Sequence, residues 1–275
     1  MKEGEELRKI VREILLEEYV YIIEGIDVDE RNKTVSFNPA HENNVNTSIA
    51  INPTYDSIDG FPVISIFKRK YSKDSSYDGN PLIYALKGLN GWKFKNPQKD
   101  IIGLLRQFIR ISEKIKPEYD TIITIPSSNE LNINFLHRLN KIIKTKAQIT
   151  DWLFKLDAEH VYEDYIDWQQ INKDNPNDYN IIKNQINQSF KRMIKDNDSN
   201  FSFKYIEPKL RKYITKTMEG FVDDTILYAP YINGKDILVL DDTISSGPSI
   251  SGACKIIMET FQPKSITVIT LFSKL

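Results

Sequence analysis

Residues Ile237-Leu238-Val239-Leu240 run without a break into Asp241-Asp242, and the chain continues Thr243-Ile244-Ser245-Ser246-Gly247-Pro248-Ser249. A short, unbroken apolar run bounded by turn residues suits a strand covered on both faces, as in a parallel sheet. Such a strand needs a helical layer on each side, so this run constrains the fold more than any other. At its carboxyl end, two carboxylates offer acceptors to sugar hydroxyls, directly or through a cation. Ser245, Ser246, Gly247 and Ser249 then bring small hydroxyl side chains and exposed N–H groups to the start of a helix, where an anion is favoured. A near copy, Val222-Asp223-Asp224-Thr225-Ile226, runs on into Leu227 and Tyr228 with no such loop and reads as structural.

The surrounding chain alternates in the same sense. Thr121–Ile125 reads as a strand, Pro126-Ser127-Ser128-Asn129 as a loop, and Glu130–Ile143 as a helix with Leu131, Phe135, Leu136, Leu139 and Ile142 on one stripe. After the strand at Ile237–Leu240, Ser249–Phe261 has helical spacing and Ile266–Leu271 reads as a last strand. This alternation predicts a Rossmann-like parallel sheet flanked by helices, with ligands at the carboxyl ends of its strands.

Residues 1–98 have a different character. Leu7, Ile10, Val11, Ile14 and Leu15 predict an amphipathic helix within Glu5–Ile23. Four β-prone runs follow, Thr34–Phe37, Thr47–Ile51, Pro62–Phe67 and Pro81–Leu86, and predict an antiparallel sheet. A helix is expected over Lys99–Lys116, opening the core that spans residues 99–275. That core is interrupted at about 150–205. Asp151–Asn180 carries eight acids against two lysines, and residues 181–219 carry nine Lys/Arg against four acids. The stretch predicts an inserted helical part followed by a mobile basic loop.

Composition sets limits on function. With 40% hydrophobic and 11% aromatic residues in 275, the chain has material for a substantial core. A formal net charge of −1 gives no global attraction to nucleic acid. Nucleic-acid binding through the basic stretch at 181–216 is the weaker reading. The single Cys254 excludes an internal disulfide and any multi-Cys zinc site, and its place on an apolar stripe points to the core. His41, His137 and His160 have no metal-ligand spacing. With no signal-like or membrane-spanning apolar run, a soluble, cytoplasmic protein is expected.

The thirteen residues from Ile237 to Ser249 resemble the phosphoribosyl-diphosphate (PRPP) motif of type I phosphoribosyltransferases: apolar strand, paired acids, two variable positions, Ser/Thr, small residue, Gly, any residue, Ser/Thr. The resemblance implies that Asp241 and Asp242 hold the ribose hydroxyls and are the catalytic acids. It implies that Thr243, Ser245, Ser246, Gly247 and Ser249 surround the 5-phosphate. Mg²⁺ would arrive with the ligand, with Asp241 and Asp242 as its protein contacts. In the same family a loop after an earlier strand holds the diphosphate. Ser127, Ser128 and Asn129 match that place, although Ser128 or Asn129 would serve equally as a helix N-cap.

The resemblance extends to the ComF-like subgroup, without its zinc ribbon. Ile83-Tyr84-Ala85-Leu86-Lys87-Gly88 is similar to that subgroup's strand with a lysine, and Lys209–Lys212 through Glu219-Gly220-Phe221 is similar to its basic segment. Lys87, Arg211, Lys212 and Lys216 are therefore candidate cations for the diphosphate, against the plainer reading of a solvated basic face. Two departures bear on activity. Ser245 stands where the 6-oxopurine salvage enzymes carry a basic aspartate, and Pro248 removes one N–H donor from the loop. The implied activity is phosphoribosyl transfer from PRPP to a base or amine with release of diphosphate. The alternative is a non-catalytic PRPP- or nucleotide-sensing module in regulation, DNA uptake or phage defence. A homo-oligomer or a protein partner is expected in either case.

Overall fold

The structure, a computed structural model, describes residues 25–38, 40, 44–69, 81–115, 119–127, 131–143, 147–195, 200–244 and 247–273. The expected helix over Glu5–Ile23, together with His41, Ser128, Asn129, Ser245 and Ser246, lies outside the described residues.

The first strands are β1 (Gly25–Asp29), β2 (Thr34–Asn38), β3 (Val45–Asn46), β4 (Thr54–Ile58) and β5 (Phe61–Arg69). Next come α1 (Pro81–Lys87), β6 (Lys93–Phe94), α2 (Pro97–Ile115), β7 (Thr121–Thr124), α3 (Leu131–Ile143) and β8 (Gln148–Thr150). A third group is β9 (Leu153–Lys155), α4 (Ala158–Asp164), α5 (Trp168–Asp174), α6 (Tyr179–Lys195), two 3-10 turns at Phe203–Tyr205 and Pro208–Tyr213, and β10 (Met218–Gly220). The chain closes with α7 (Thr225–Ile232), β11 (Asp236–Ile244), α8 (Pro248–Thr260) and β12 (Ser265–Ser273).

The main sheet runs β3-β5-β12-β11-β7-β8, with β4 also paired to β5. From β5 to β8 every pairing is parallel; β3 and β4 add to β5 antiparallel. Residues Ile237 to Leu240 are wholly buried, and their alternation serves two cores. Leu238 and Leu240 pack with Phe108 of α2 and Phe135 and Leu139 of α3. Ile237 and Val239 pack with Ile250, Ala253, Cys254 and Ile257 of α8. One strand thus bridges two helical layers, as its unbroken apolar run predicts. Among the described residues no helix is long and apolar enough to cross a membrane.

The N-terminal part departs from expectation in three places. Thr34–Phe37 does form a strand, in a small sheet β1-β2-β6, but Thr47–Ile51 is a turn in which Asn52 N–H donates to Ser48 O. Pro62–Phe67 belongs to β5, which joins the main sheet beside β12. Pro81–Leu86 is helical. Pro81 occupies the first helical position, where its missing N–H costs nothing, and Gly88 follows at φ +65°. Gly88 N–H donates to Ala85 O and Leu89 N–H to Tyr84 O, the paired bonds of a Schellman stop. Helix α2 is tied to the small sheet by buried Asp100, whose carboxylate accepts from the N–H groups of Phe37 and Asn96.

Residues 153–220 form a body with its own core, in which Leu156, Val161, Ile171, Ile186, Phe190, Met193 and Phe201 are buried. The segment expected as a mobile basic loop is packed into it through Leu210, Tyr213 and Ile214. Its entry and exit are zipped by the antiparallel pair β9–β10, where Gly220 faces Leu153. Beside this neck, Trp152 is buried edge-on to Phe261 at 4.7 Å and its Nε1 donates to Phe221 O at 3.0 Å. A Cβ on Gly220 would fall inside the Trp152 ring. Gly220→Ala should therefore lower stability by about 1–3 kcal/mol, the usual range for overpacking. Its denaturant midpoint, followed by tryptophan fluorescence, would read this; a wild-type midpoint would show that the neck yields freely.

Candidate active site at the divergence of two strands

The two strands at the middle of the sheet lead in opposite directions. From β7 the chain passes through α3 to β8 on one side, and from β11 through α8 to β12 on the other. The helices also lie on opposite faces, so a crevice opens beyond the carboxyl ends of β7 and β11. The last rung between them is Ile125 N–H to Leu240 O at 2.9 Å. Pro126 comes next, has no N–H, and cannot continue the ladder. Beyond Leu240, β11 stays paired to β12 as far as Ile244, while its β7 edge carries Asp241 into the crevice.

The two acids have different partners. Asp241 Oδ1 accepts from the Asp242 N–H at 2.9 Å and from Asn132 Nδ2 at 3.3 Å. Asn132 is buried in the first turn of α3 and also donates to Ile125 O at 2.9 Å, so it fastens the end of β7 to the acid on β11. Asp242 is buried and meets Lys87, from the last turn of α1, with Nζ 2.6 Å from Oδ2. Among the described residues Thr243 Oγ1 makes no hydrogen bond. With side chains only 14% and 6% exposed, this ion pair is far less screened than a surface pair.

The anion loop is described from Gly247 onward. Gly247 sits at φ +85°, and a Cβ there would lie 2.8 Å from Ile58, so both conformation and space call for glycine. Pro248 opens α8 at its first position, a favourable place for proline, and Ser249 follows in the first turn. Buried Arg69, at the end of β5, donates to the carbonyl of Ile244 and thus braces the strand where the loop begins.

A cavity of about 730 Å³ occupies the crevice. Asp241, Asp242, Thr243, Ser249, Ser127 and Lys87 all line it. A recess of about 60 Å³ at the start of α8 shares Asp241, Thr243 and Ser249 and adds Gly247 and Arg211. Of the candidate cations, Lys87 and Arg211 are thus at the site and two are elsewhere. Lys212 pairs with Asp174 of α5 at 2.8 Å, and Lys216 with Glu219 of β10 at 2.5 Å. Asn132 and Arg69 were not candidates. Asn132 carried a faint signal, as an amide in the first turn after a strand–Pro loop; Arg69 carried none. Among the described residues no three His, Cys, Asp or Glu groups cluster to hold a metal ion. Two neighbouring carboxylates do suit Mg²⁺ that arrives on a ligand's phosphates, since that ion commonly takes only one or two protein carboxylates. Comparison of the chain with protein-family models, curated proteins and solved structures gave no match.

Loss of water and the neighbouring Asp242 charge push the Asp241 carboxyl well above the ordinary carboxylate range, despite the Asn132 and backbone donors. A carboxyl raised in this way holds its proton better folded than unfolded. Its contribution to stability is full below about pH 4, the unfolded value, and is lost as pH rises through the folded value. Asp241→Asn keeps an oxygen for both donors and removes the charge. It should raise Tm at pH 7–8 by about 2–4 °C, the shift that 1 kcal/mol makes in a protein of this size, with the gain fading toward pH 4. Thermal melts across pH measure this, and an unchanged or lower Tm at neutral pH would contradict it.

Proposed function

We propose that the protein is a type I phosphoribosyltransferase-like protein, with PRPP bound across the carboxyl ends of β7 and β11. The reading is carried by one observation: Asp241 and Asp242 project at the divergence of these strands and lead directly into the glycine turn and first residues of α8. Ribose hydroxyls would meet the two carboxylates. The 5-phosphate would lie in the recess at Gly247 and Ser249, against the positive end of α8 and Arg211. The diphosphate would face Ser127 and Lys87. Magnesium bound with the ligand would supply charge neutralisation on the diphosphate.

In this assignment Lys87 has two uses. In the free protein it balances Asp242; once hydroxyls satisfy that carboxylate, the ammonium can turn to the departing diphosphate. The chain's further work is positioning and exclusion of water, which would otherwise take the sugar. The reaction is then transfer of the phosphoribosyl group to an acceptor with loss of diphosphate. A specific observation favours keeping the sensing alternative beside it. Among the described residues that line the cavity, Asp241 and Asp242 are the only acids and none is a histidine that could act as a general base.

Calorimetric titration of PRPP with Mg²⁺ should show binding that weakens by about tenfold or more when Asp241 and Asp242 are both changed to Asn, since charge-assisted hydrogen bonds are lost. Diphosphate release with a panel of acceptors separates the two readings. Release supports transfer; binding without release supports sensing; absence of binding in the wild type rejects the site.

A further inference from the structure

We propose that helix α7 is an interface between two copies of this chain, paired antiparallel about a two-fold axis near its middle. The proposal stands independently of the PRPP reading above. Helix α7, Thr225–Ile232, carries no charged residue and is largely apolar on every side. A helix of that pattern is ordinarily buried all round. Here only one side is covered. Ile232 is buried and, with the partly buried Tyr228 and Ala229, packs into the core beside α8. The Tyr228 hydroxyl donates to Asp151 Oδ1 at 3.3 Å, and Thr121 Oγ1 donates to the carbonyl of Tyr231, so the helix is fastened to the sheet from that side.

The other side is open to water. Ile226 is 84% exposed, Val222 80% and Leu227 66%, and Phe221 and Tyr231 are exposed as well. Ile226 and Pro230 are four apart, as are Leu227 and Tyr231, so they share one stripe of the helix. Phe221 and Val222 stand just ahead of its first turn. These side chains leave on the order of 600 Å² open, the upper end for an apolar patch on a monomer and most of the ~800 Å² that each partner gives to a standard interface. The patch includes residues 222–226, the near copy of the acid motif that leads into no anion loop, and gives that stretch a use of its own.

Charge decides the occupant. Asp223 and Asp224 stand just before α7, and Lys235 stands just after it. Asp224 occupies the N-cap position yet makes no capping bond, and none of the three side chains has an ion pair or hydrogen bond among the described residues. A surface that is acidic at one end, basic at the other and apolar between is complementary to itself when reversed. In an antiparallel pair the acids of each copy meet the partner's Lys235, twice over by symmetry, and helix ends of opposite polarity adjoin. A parallel pair would set acid against acid. With the axis near Ala229, Leu227 faces the partner's Tyr231. A groove of about 400 Å³ beside the first turn of α7, with Val222, Thr225 and Ile256 in its lining, has room for that ring.

Sedimentation velocity of the full chain tests this over about 0.1–100 µM, since interfaces of standard size dissociate at micromolar concentrations or below. The wild type should sediment at twice the mass of one chain. Ile226→Asp should weaken association by roughly tenfold or more, because it places an unpaired charge inside the interface. Its far-UV circular dichroism should match the wild type, since that side chain meets water in the single chain. Asp223→Lys and Lys235→Asp should each weaken association by about tenfold, because like charges then face each other. The two reversals combined should recover most of that loss. A chain that stays monomeric over the whole range overturns the proposal, and so does a dimer that Ile226→Asp leaves intact. Reversals whose losses add in the combined variant, or that change nothing singly, overturn the antiparallel pairing.

Discussion

Residues Ile237 to Leu240 are entirely removed from water, so every peptide group along them must find a partner on a neighbouring strand. Strands β7 and β12 supply those partners, and α2, α3 and α8 cover the two faces. This requirement ends abruptly on one edge. Past Leu240 the β7 side has no rung to offer, because Pro126 has no N–H and the chain turns away toward α3. The crevice is the direct result: a central strand still braced by β12 on one edge and open on the other, with its carboxylates at the opening.

Placing two carboxylates there is electrostatically unfavourable, and the surroundings offset it unevenly. Asp242 faces a nearly buried lysine; Asp241 receives N–H donors from Asn132 and Asp242, which together with the charge of Lys87 only partly offset its burial. The fold therefore carries a partly offset charge burden at the mouth of the crevice. Sites that bind ligands commonly give up stability in this manner. The bracing of Ile244 by Arg69 and of Ile125 by Asn132 follows the same logic, since both fix backbone at the rim where ligand groups would have to be aligned.

The inserted body adds a second physical idea. It stands on a neck of two short antiparallel strands, closed against Trp152, and keeps a separate aromatic-rich core. A body built in this way can present rigid side chains to a cavity without belonging to the sheet that carries the acids. Its acidic and basic stretches, conspicuous in sequence, meet in the pair Lys212–Asp174, while Lys216 pairs with Glu219 of its own stretch.

Much of the parallel core was legible along the chain, because continuous apolar runs and helical stripes are local patterns. Strands β7, β11 and β12 and helices α2, α3 and α8 fall within a residue or a few of where those patterns put them. Leu82–Leu86 is too short and too evenly apolar for periodicity to tell helix α1 from a strand. Pro81 before it and Gly88 after it held the better signal. The small residues after Asp242 likewise marked the glycine at φ +85° that precedes α8. Contacts across long separations were decided by the tertiary structure alone. Lys87 meets Asp242, Arg69 reaches Ile244, and Phe203 comes to face Asp241 across one cavity because helix packing and a strand neck bring them there. Lys212 and Lys216 look like the same kind of residue in sequence, yet they are drawn to acids of their own body. Sequence by itself determined where a doubly covered apolar run would meet two acids, since that depends on neighbouring residues, although the strand continues past them to Ile244. Which cations and rings would surround those acids depended on packing between distant segments, and only the folded chain could decide it.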